Sequence, residues 1–344
     1  MLELSTIGLL IILIAVLACP FIFKFIEHHI EIFLFVMGLA ACLLTQKLNL
    51  HLLGHALSEP IPISLAVLAF GLLFKIFRKK LDQTIRFILK KIPIPWFIAL
   101  IIFILGLASS IITAIIAALI LTEVISLLPI DKKHEKNLVI LACYAIGIGA
   151  VLTPIGEPLS TITLAKLKEL PGVDFWYLAK LLGIEVILML VLFAALSFLF
   201  RGHHAKSGLT ATHREESYQE ILLRAGKVFL FVMALIFLGS GFQQLVDRYV
   251  IHLSSDLLYW INMISAVLDN ATLAATEISP NMDAIHLKKI LMGLLISGGM
   301  LIPGNIPNII AASKLKISMK DWAKFGVPLG LVVMLGYFFI IKLI

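Results

Sequence analysis

A single carboxylate lies deep in an apolar stretch of the second half of the sequence. Asp269 is followed by Asn270 and Thr272, and all three stand inside the apolar run 261–275. A carboxylate in the middle of a membrane helix costs about 2.5–3.5 kcal/mol even on lenient insertion scales, and such residues are usually functional. We therefore predict that Asp269 binds a cation or carries a proton, with Asn270 and Thr272 adding neutral oxygens. The alternative is that Asp269 only caps the following helix.

A second carboxylate, Glu157, lies where two prolines and a glycine interrupt the apolar stretch 138–164. These residues cannot remain in a regular helix, and within lipid the freed backbone groups are tolerated only beside an enclosed or wet cavity. We expect Glu157, with Thr153 and Ser160 beside it, to face the same cavity as Asp269. Alternatively, Glu157 only neutralises exposed N–H groups of the following half-helix.

Other polar residues at membrane depth complete the predicted site. A second proline-rich break carries amides in place of an acid, and three hydroxyl residues interrupt the apolar stretch 96–128. Hydroxyls in membrane helices often bond only to carbonyls of their own helix, so both readings stay open for them. The further candidates are Asn305, Asn308, Ser109, Ser110 and Thr113. Asp269 and Glu157 are the predicted Na⁺ ligands of the site.

Composition places these residues in a membrane protein. The chain has 344 residues, of which 60% are apolar and 14% charged, and its mean hydropathy is +1.06. A soluble domain has roughly a quarter charged residues, so a soluble enzyme and a disordered chain are excluded. The sequence contains no nucleotide-binding, hydrolase or metalloprotease motif. We therefore expect no enzyme activity and no cofactor. We also expect no nucleic-acid partner, because the net charge of +7 fits basic cytoplasmic loops.

Hydrophobic runs predict an all-α polytopic fold with some interrupted segments. About 20 apolar residues cross the hydrocarbon core. The stretch 96–128 is long for one span and short for two, and we predict a re-entrant hairpin there and another near 260–277. With both hairpins and an outside N-terminus, most lysines and arginines fall in inner loops, as the positive-inside rule favours. The clear candidate spans are 6–23, 32–44, 61–77, 175–200, 228–242 and 322–344.

The two halves of the sequence echo each other. Asp131 and His134 recur as Asp283 and His286, and the proline-rich breaks follow both at similar distances. Each unit reads hairpin, broken helix, straight helix, and opposite entry sides make the units inverted repeats. Paired interrupted helices in inverted repeats are typical of secondary transporters; a duplicated scaffold without transport is the alternative.

The predicted organisation has four parts. Residues 1–95 form a three-helix scaffold that ends in a basic amphipathic segment, 78–91, lying on the inner leaflet. Residues 96–200 form repeat 1, residues 201–255 form a cytoplasmic loop and linking helix, and residues 256–344 form repeat 2. Glu123 and Glu277 follow the hairpins at matched positions and are expected to be solvated near the membrane surface.

The segment around Asp269 carries a family resemblance. Ser265-Ala266-x-x-Asp269-Asn270 resembles the Ser-Ala-x-x-Asp-Asn motif of the ion transporter superfamily, which includes NhaD-type sodium/proton antiporters, arsenite permeases and citrate carriers. More specifically, the chain resembles the smaller members that are predicted cation transporters. The resemblance implies a midplane site that includes Asp269 and Asn270, and a homodimer with a moving domain. NhaD-type members usually have Asp-Asn in the first repeat too, where this chain has Ile112-Thr113.

The sequence therefore predicts a secondary active transporter of a cation in the cell (inner) membrane. Sodium/proton antiport by alternating access is the first hypothesis, with Na⁺ and H⁺ as the transported or coupling ions. The alternatives are a cation-coupled symporter of a small anion or organic acid, and a non-transporting membrane scaffold. The Ser-Asn-Thr signatures of dicarboxylate carriers are absent, which makes a dicarboxylate substrate a poor fit.

Overall fold

The computed structural model describes residues 4–200, 217–249, 253–268 and 270–343. Within these ranges every regular element is an α-helix or a short 3-10 turn. Seven helices are long and apolar enough to cross a membrane, which confirms a multi-pass helical protein in contact with lipid. Asp269 and the chain from residue 201 to 216 lie outside the described residues, so the role predicted for Asp269 is supported by the sequence alone.

The described helices fall into a first group before the first proline-rich break and a second group after it. The first group is α1 (Leu4–Ile22), α2 (Lys24–His28), α3 (Ile30–Leu44), α4 (Leu50–Ser58), α5 (Pro60–Leu89), α6 (Ile94–Ile112), α7 (Ala114–Ser126) and α8 (Lys132–Gly149). The second group is α9 (Pro158–Leu167), α10 (Tyr177–Leu196), α11 (Tyr218–Tyr249), α12 (Ser255–Ile261), α13 (Asn270–Glu277), α14 (Ala284–Gly298), α15 (Ile306–Leu315) and α16 (Met319–Leu343).

Helix α5 extends further than expected. The predicted span 61–77 and the basic segment 78–91 were expected to be separate helices, but one helix of 30 residues covers both as far as Leu89. At 1.5 Å per residue it is about 45 Å long, more than the hydrocarbon core. No glycine or proline occurs between Gly71 and Pro93, so nothing in the sequence ends the helix earlier.

The long helix α11 packs along α3 and α5. Small residues allow the close approach to α3. A Cβ at Gly38 would come within 2.9 Å of the Ala234 carbonyl oxygen, and one at Gly241 within 2.5 Å of the Ala41 Cβ. Membrane helices associate through such small-residue contacts, because lipid gives no hydrophobic drive between them. The N-terminal helices are thereby joined to the second half of the chain.

Helices α8 and α14 form the centre of the molecule. Every residue of α8 from Leu138 to Gly149 is buried, as is every residue of α14 from Ile290 onwards. The ring of Tyr144 in α8 fills the space beside Gly299, and its hydroxyl donates to the Gly326 carbonyl in α16 at 2.7 Å. These two helices therefore carry the breaks inside the protein rather than against lipid.

Both proline-rich segments interrupt their helices, as predicted. After α8, a 3-10 turn (Ala150–Leu152) leads to the extended Thr153, and α9 begins at Pro158. After α14, a 3-10 turn (Ile302–Gly304) precedes α15, which has proline in its first turn. Proline suits the first turn of a helix because its missing N–H would be unsatisfied there anyway. Two ten-residue half-helices, α9 and α15, result.

Ion pairs connect the two halves of the chain. Glu123 in α7 pairs with Lys314 in α15, Lys136 in α8 with Asp321 in α16, and Lys288 in α14 with Glu185 in α10. The expectation that Glu123 is solvated is therefore wrong. It is 8% exposed, because α7 packs against α15 and turns this carboxylate towards a lysine.

Candidate functional site

The first break is bonded to the junction between α6 and α7. The Thr153 hydroxyl donates to the Ser110 carbonyl, and the Ala114 N–H donates to the Gly156 carbonyl at 2.9 Å. Thr113 stands between the two helices with a φ of 73°, which is rare for a β-branched residue. Its side chain caps α7 by accepting from the Ile116 N–H at 3.4 Å. The structure thus places Thr113, Ser110 and Thr153 together.

The two serines before this junction use their hydroxyl protons on backbone carbonyls. Ser110 donates to Leu107 at 2.8 Å. Ser109 donates to Gly106 at 2.7 Å and contacts the Ile146 carbonyl of α8 at 2.9 Å. This is the backbone-bonding arrangement that the sequence left open for them. Ser109 thereby helps to hold α6 against α8.

Glu157 is buried at the start of α9, with 9% of its surface exposed. Its backbone is extended at the N-cap position, but its side chain accepts no capping hydrogen bond from the helix. Ser160, one turn into α9, is fully buried and its hydroxyl lies 3.5 Å from the Ala150 carbonyl. Glu157 and Ser160 therefore both lie at the first break, inside the protein.

The second break brings two asparagines to one glycine. Asn308 is fully buried, and its Nδ2 donates to the Gly298 and Leu301 carbonyls, both at 2.9 Å. Asn270, the first residue of α13, lies beside the same glycine. A Cβ at Gly298 would come within 2.6 Å of the Asn270 Nδ2 and 3.3 Å of its Oδ1. Only glycine at position 298 leaves room for this approach.

The side-chain oxygens of these two asparagines are buried and carry no hydrogen-bond partner among the described residues. Both Asn270 Oδ1 and Asn308 Oδ1 are in this state. For Asn308 the orientation of the amide is fixed, since its nitrogen serves two carbonyls. Buried polar atoms are almost always satisfied, and an exception calls for an explanation such as a bound ion.

Asn305 and Thr272 face other surfaces. A Cβ at Gly147 in α8 would come within 2.5 Å of the Asn305 Nδ2, so Asn305 lies against the last turns of α8 before the first break. A Cβ at Gly239 in α11 would meet the Thr272 Oγ1 at the same distance. Thr272 thus faces α11, whereas Asn270 faces α14. The predicted oxygen shell is brought together only in part.

A polar network joins the 3-10 turn after α12 to α13 and α14. Asn262 Nδ2 donates to Glu277 Oε2 at 2.9 Å. The Ser297 hydroxyl lies 2.6 Å from the Ser265 hydroxyl and 2.6 Å from the Asn262 carbonyl. Glu277 is 3% exposed, so the expectation that it is solvated is wrong. Asn262 and Ser265 are buried in the 3-10 turn Asn262–Ala266, and Asn262 contacts the carboxylate.

No group of three histidine, cysteine or acidic side chains suited to a transition-metal ion occurs in the part of the chain that the structure describes. The Asp131 and Asp283 carboxylates each accept from the N–H three residues later, at 2.8 Å, and so cap α8 and α14. The adjacent His134 and His286 rings contact the same carboxylates. These histidines therefore belong to matching helix caps.

Comparison with known proteins identifies a family of unknown function. None of the curated proteins compared with the chain matches it. One family model, described as "Protein of unknown function (DUF1646)", matches residues 6–344. It assigns no transporter superfamily, so the resemblance to ion transporters stays a prediction from the Asp269-Asn270 motif. The match covers nearly the whole sequence, and the chain therefore belongs to the DUF1646 family.

Proposed function

We propose that this protein is a secondary active transporter of a cation, working as a sodium/proton antiporter. The observation that carries the proposal is the pair of buried amide oxygens of Asn270 and Asn308 near Gly298, which have no hydrogen-bond partner among the described residues. Neutral oxygens of this kind are ligands for hard cations. Asp269 directly precedes Asn270 in the sequence and would supply the negative charge that a Na⁺ ion or a proton neutralises.

Reciprocal packing supports the proposal that 96–200 and 256–344 are inverted repeats. Helix α7 packs against α15, and α13, its counterpart in the second half, packs against α9, the counterpart of α15. The lysines of α8 and α14 also pair with acids on the straight helix of the opposite half, at Asp321 and Glu185. Exchange of partners between matched elements is expected for two units related by a pseudo-two-fold axis.

In the proposed mechanism, the α6–α7 and α12–α13 pairs are re-entrant hairpins that meet the two breaks near the membrane midplane. The ion sits at Gly298, and Glu157 at the first break is a second group that binds protons or cations. Helix α11 with α3 and α5 forms the frame against which the hairpins and broken helices move. Sodium and protons compete for one carboxylate, so binding of one releases the other and alternating access couples the two fluxes.

A flux measurement tests the proposal. The full chain is reconstituted into proteoliposomes that contain a pH-sensitive dye, and gradients of Na⁺, Li⁺, K⁺ or choline are imposed. We expect Na⁺ or Li⁺ to move protons in wild type, with loss of at least tenfold in rate in Asp269→Asn and Asn270→Ala. Asn281→Ala is the matched control, because Asn281 is exposed and should leave the rate unchanged.

Two results would count against the antiporter. If folded and inserted wild-type protein moves no protons with any cation, antiport is excluded, and Na⁺-driven uptake of small anions becomes the next measurement. If Asp269→Asn and Asn270→Ala retain the wild-type rate, the ion does not bind where the buried amides lie.

A further inference from the structure

Glu277 is a buried carboxylate without a cationic partner in the part of the chain that the structure describes. The buried acids Glu31 and Glu123 pair with Lys227 and Lys314, and the partly buried Glu185 pairs with Lys288. Among the described residues no lysine, arginine or histidine forms an ion pair with Glu277, whose hydrogen-bond donor is the amide of Asn262 at 2.9 Å. An isolated buried carboxylate is very costly, and such a group normally binds a proton instead of remaining charged.

The contrast with Glu123 sharpens this point. Glu123 and Glu277 occupy matched positions at the ends of α7 and α13. The partner of Glu123 is Lys314 in α15, and the matching residue in α9 is Lys166. Lys166 is exposed to the surroundings. Among the described residues, a lysine therefore pairs with Glu123 in the first half of the molecule, and no lysine pairs with Glu277 in the second.

Two unpartnered oxygens lie on the two residues that this hydrogen bond joins. Asn262 is fully buried, and both its Oδ1 and the Glu277 Oε1 lack a hydrogen-bond partner among the residues described. A proton on Glu277 Oε1 would turn that oxygen into a donor, and the amide oxygen of Asn262 is an acceptor. A protonated acid and an amide thus form two hydrogen bonds with each other, whereas a carboxylate and an amide form one.

The surrounding elements carry other charges, and none of those described forms an ion pair with Glu277. Helices α9, α11 and α14 pack against α13. In α14, Lys288 and Lys289 pair with Glu185 and Asp256, and His286 pairs with Asp283. In α11, Asp247 accepts from Gln243 near the helix end, beside Arg248. The other charged residues of these helices are Lys166 in α9 and Glu220, Arg224 and Lys227 near the start of α11.

We infer that Glu277 and Asn262 form a proton-binding site, separate from the cation site at Gly298. In its occupied state Glu277 holds a proton on Oε1 and donates it to the Asn262 amide oxygen, while the Asn262 amide nitrogen donates to Oε2. Release leaves a carboxylate that retains one hydrogen bond from Asn262. The inference deepens the proposed antiport and rests on it for the role of this proton in exchange, but the proton itself is detectable without any flux.

Infrared difference spectroscopy on the full chain in lipid vesicles tests the site. The spectrum is recorded while the buffer is stepped from acid to alkaline pH, without an ion gradient. Wild type should show the carbonyl band of a buried protonated carboxyl, which disappears as the pH rises. Glu277→Gln should lose the Glu277 component of this band, whereas the bands of Asp269 and Glu157, the other proton-binding acids of the proposed mechanism, remain. The control Asp247→Asn, at an exposed acid on the neighbouring helix α11, should retain it.

A second variant keeps the test decisive if Glu277→Gln does not fold. Asn262→Ala removes the donor that stabilises the ionised carboxylate, and a hydrogen bond to a charged group is stronger than one to a neutral group. The pH at which the band is lost should shift by about one unit or more, because the variant removes two hydrogen bonds from the protonated pair and one charge-assisted hydrogen bond from the ionised pair. A band of full intensity in folded Glu277→Gln, an unchanged midpoint in Asn262→Ala, or no titrating band in wild type would overturn the proton site. Failure of the flux experiment with this band present would overturn only the antiport.

Discussion

Asn308 holds the second break together at the residue scale. Its amide nitrogen binds two backbone carbonyls freed where α14 ends, Gly298 and Leu301, and its oxygen has no hydrogen-bond partner among the described residues. The sequence identifies Asn308 as a candidate from its place in a proline-rich break. It does not reveal that the same side chain is structural, because that depends on which carbonyls the break releases towards it.

Asn308→Ala should lower the free energy of unfolding by about 1–3 kcal/mol, since two buried carbonyls lose their donor. Chemical unfolding in detergent, without Na⁺, measures the effect. Asn281→Ala, at an exposed site, should change the stability by less than about 0.5 kcal/mol. Equal stability of Asn308→Ala and wild type would mean that water or a rearranged break replaces these bonds.

The cap of α8 gives a pH dependence with a defined sign. The backbone N–H of His134, followed by its ring, holds the pKa of Asp131 below its usual value. The cap therefore contributes stability above about pH 4, the ordinary aspartate value, and loses it as the pH falls through the lowered pKa. Asp131→Asn keeps a capping oxygen and should show a weaker fall in melting temperature at acid pH. An identical acid profile for both proteins would contradict this account.

Burial of Glu277 is the feature at this scale that sequence reasoning missed. Ser279 and Pro280 follow it and indicate a helix end near the membrane surface. The sequence feature that indicated a buried partner for Glu277 was Asn262, a polar residue in an apolar run 15 positions earlier. Recognising the pair requires knowing that the 3-10 turn after α12 lies against the end of α13.

At the element scale, helix crossings depend on particular glycines. A Cβ at Gly149, the last residue of α8, would overlap the Gly106 carbonyl of α6. The prolines of the breaks predicted interrupted helices from the sequence alone, because proline does not fit the interior of a regular helix. A glycine within an apolar helix gives no such signal, since it is equally compatible with open space, as Gly183 in α10 illustrates.

Gly149→Ala should destabilise the protein by about 1–3 kcal/mol or more, because backbone must move to admit the methyl group. The matched control is Gly183→Ala, where no atom lies within 4 Å of the added Cβ. That change should be neutral or stabilise the helix by up to about 1 kcal/mol. Thermal unfolding of both variants in the same detergent measures the difference, and equal melting temperatures would contradict the close crossing of α6 and α8.

At the scale of the whole molecule, the sequence predicted helical spans and two interrupted regions. It did not predict that α5 continues unbroken into the basic segment 78–91 as far as Leu89, because amphipathic charge indicates a surface helix whether or not it continues a span. The relation between the two halves stays a proposal, supported by exchanged packing partners. Its direct consequence is the side of the membrane on which each loop lies.

Cysteine labelling tests this topology. In the proposed arrangement Lys133→Cys lies inside and Lys168→Cys outside, whereas two full crossings in place of the hairpins would exchange them. Lys79→Cys and Lys316→Cys lie inside in both cases and serve as references. All four lysines are exposed. Cys19 is only partly buried and is replaced by serine in every variant, whereas the buried Cys42 and Cys143 are retained. Labelling of Lys133→Cys by an impermeant external reagent would contradict the hairpins.

The claim that a cation binds at Gly298 is tested most directly by equilibrium binding of radioactive sodium to the purified full chain. Wild type should bind Na⁺ saturably, protons should compete, and Asn270→Ala should weaken binding at least tenfold while Asn281→Ala leaves it unchanged. Equal affinity in wild type and folded Asn270→Ala, or no saturable binding in wild type, would contradict the account.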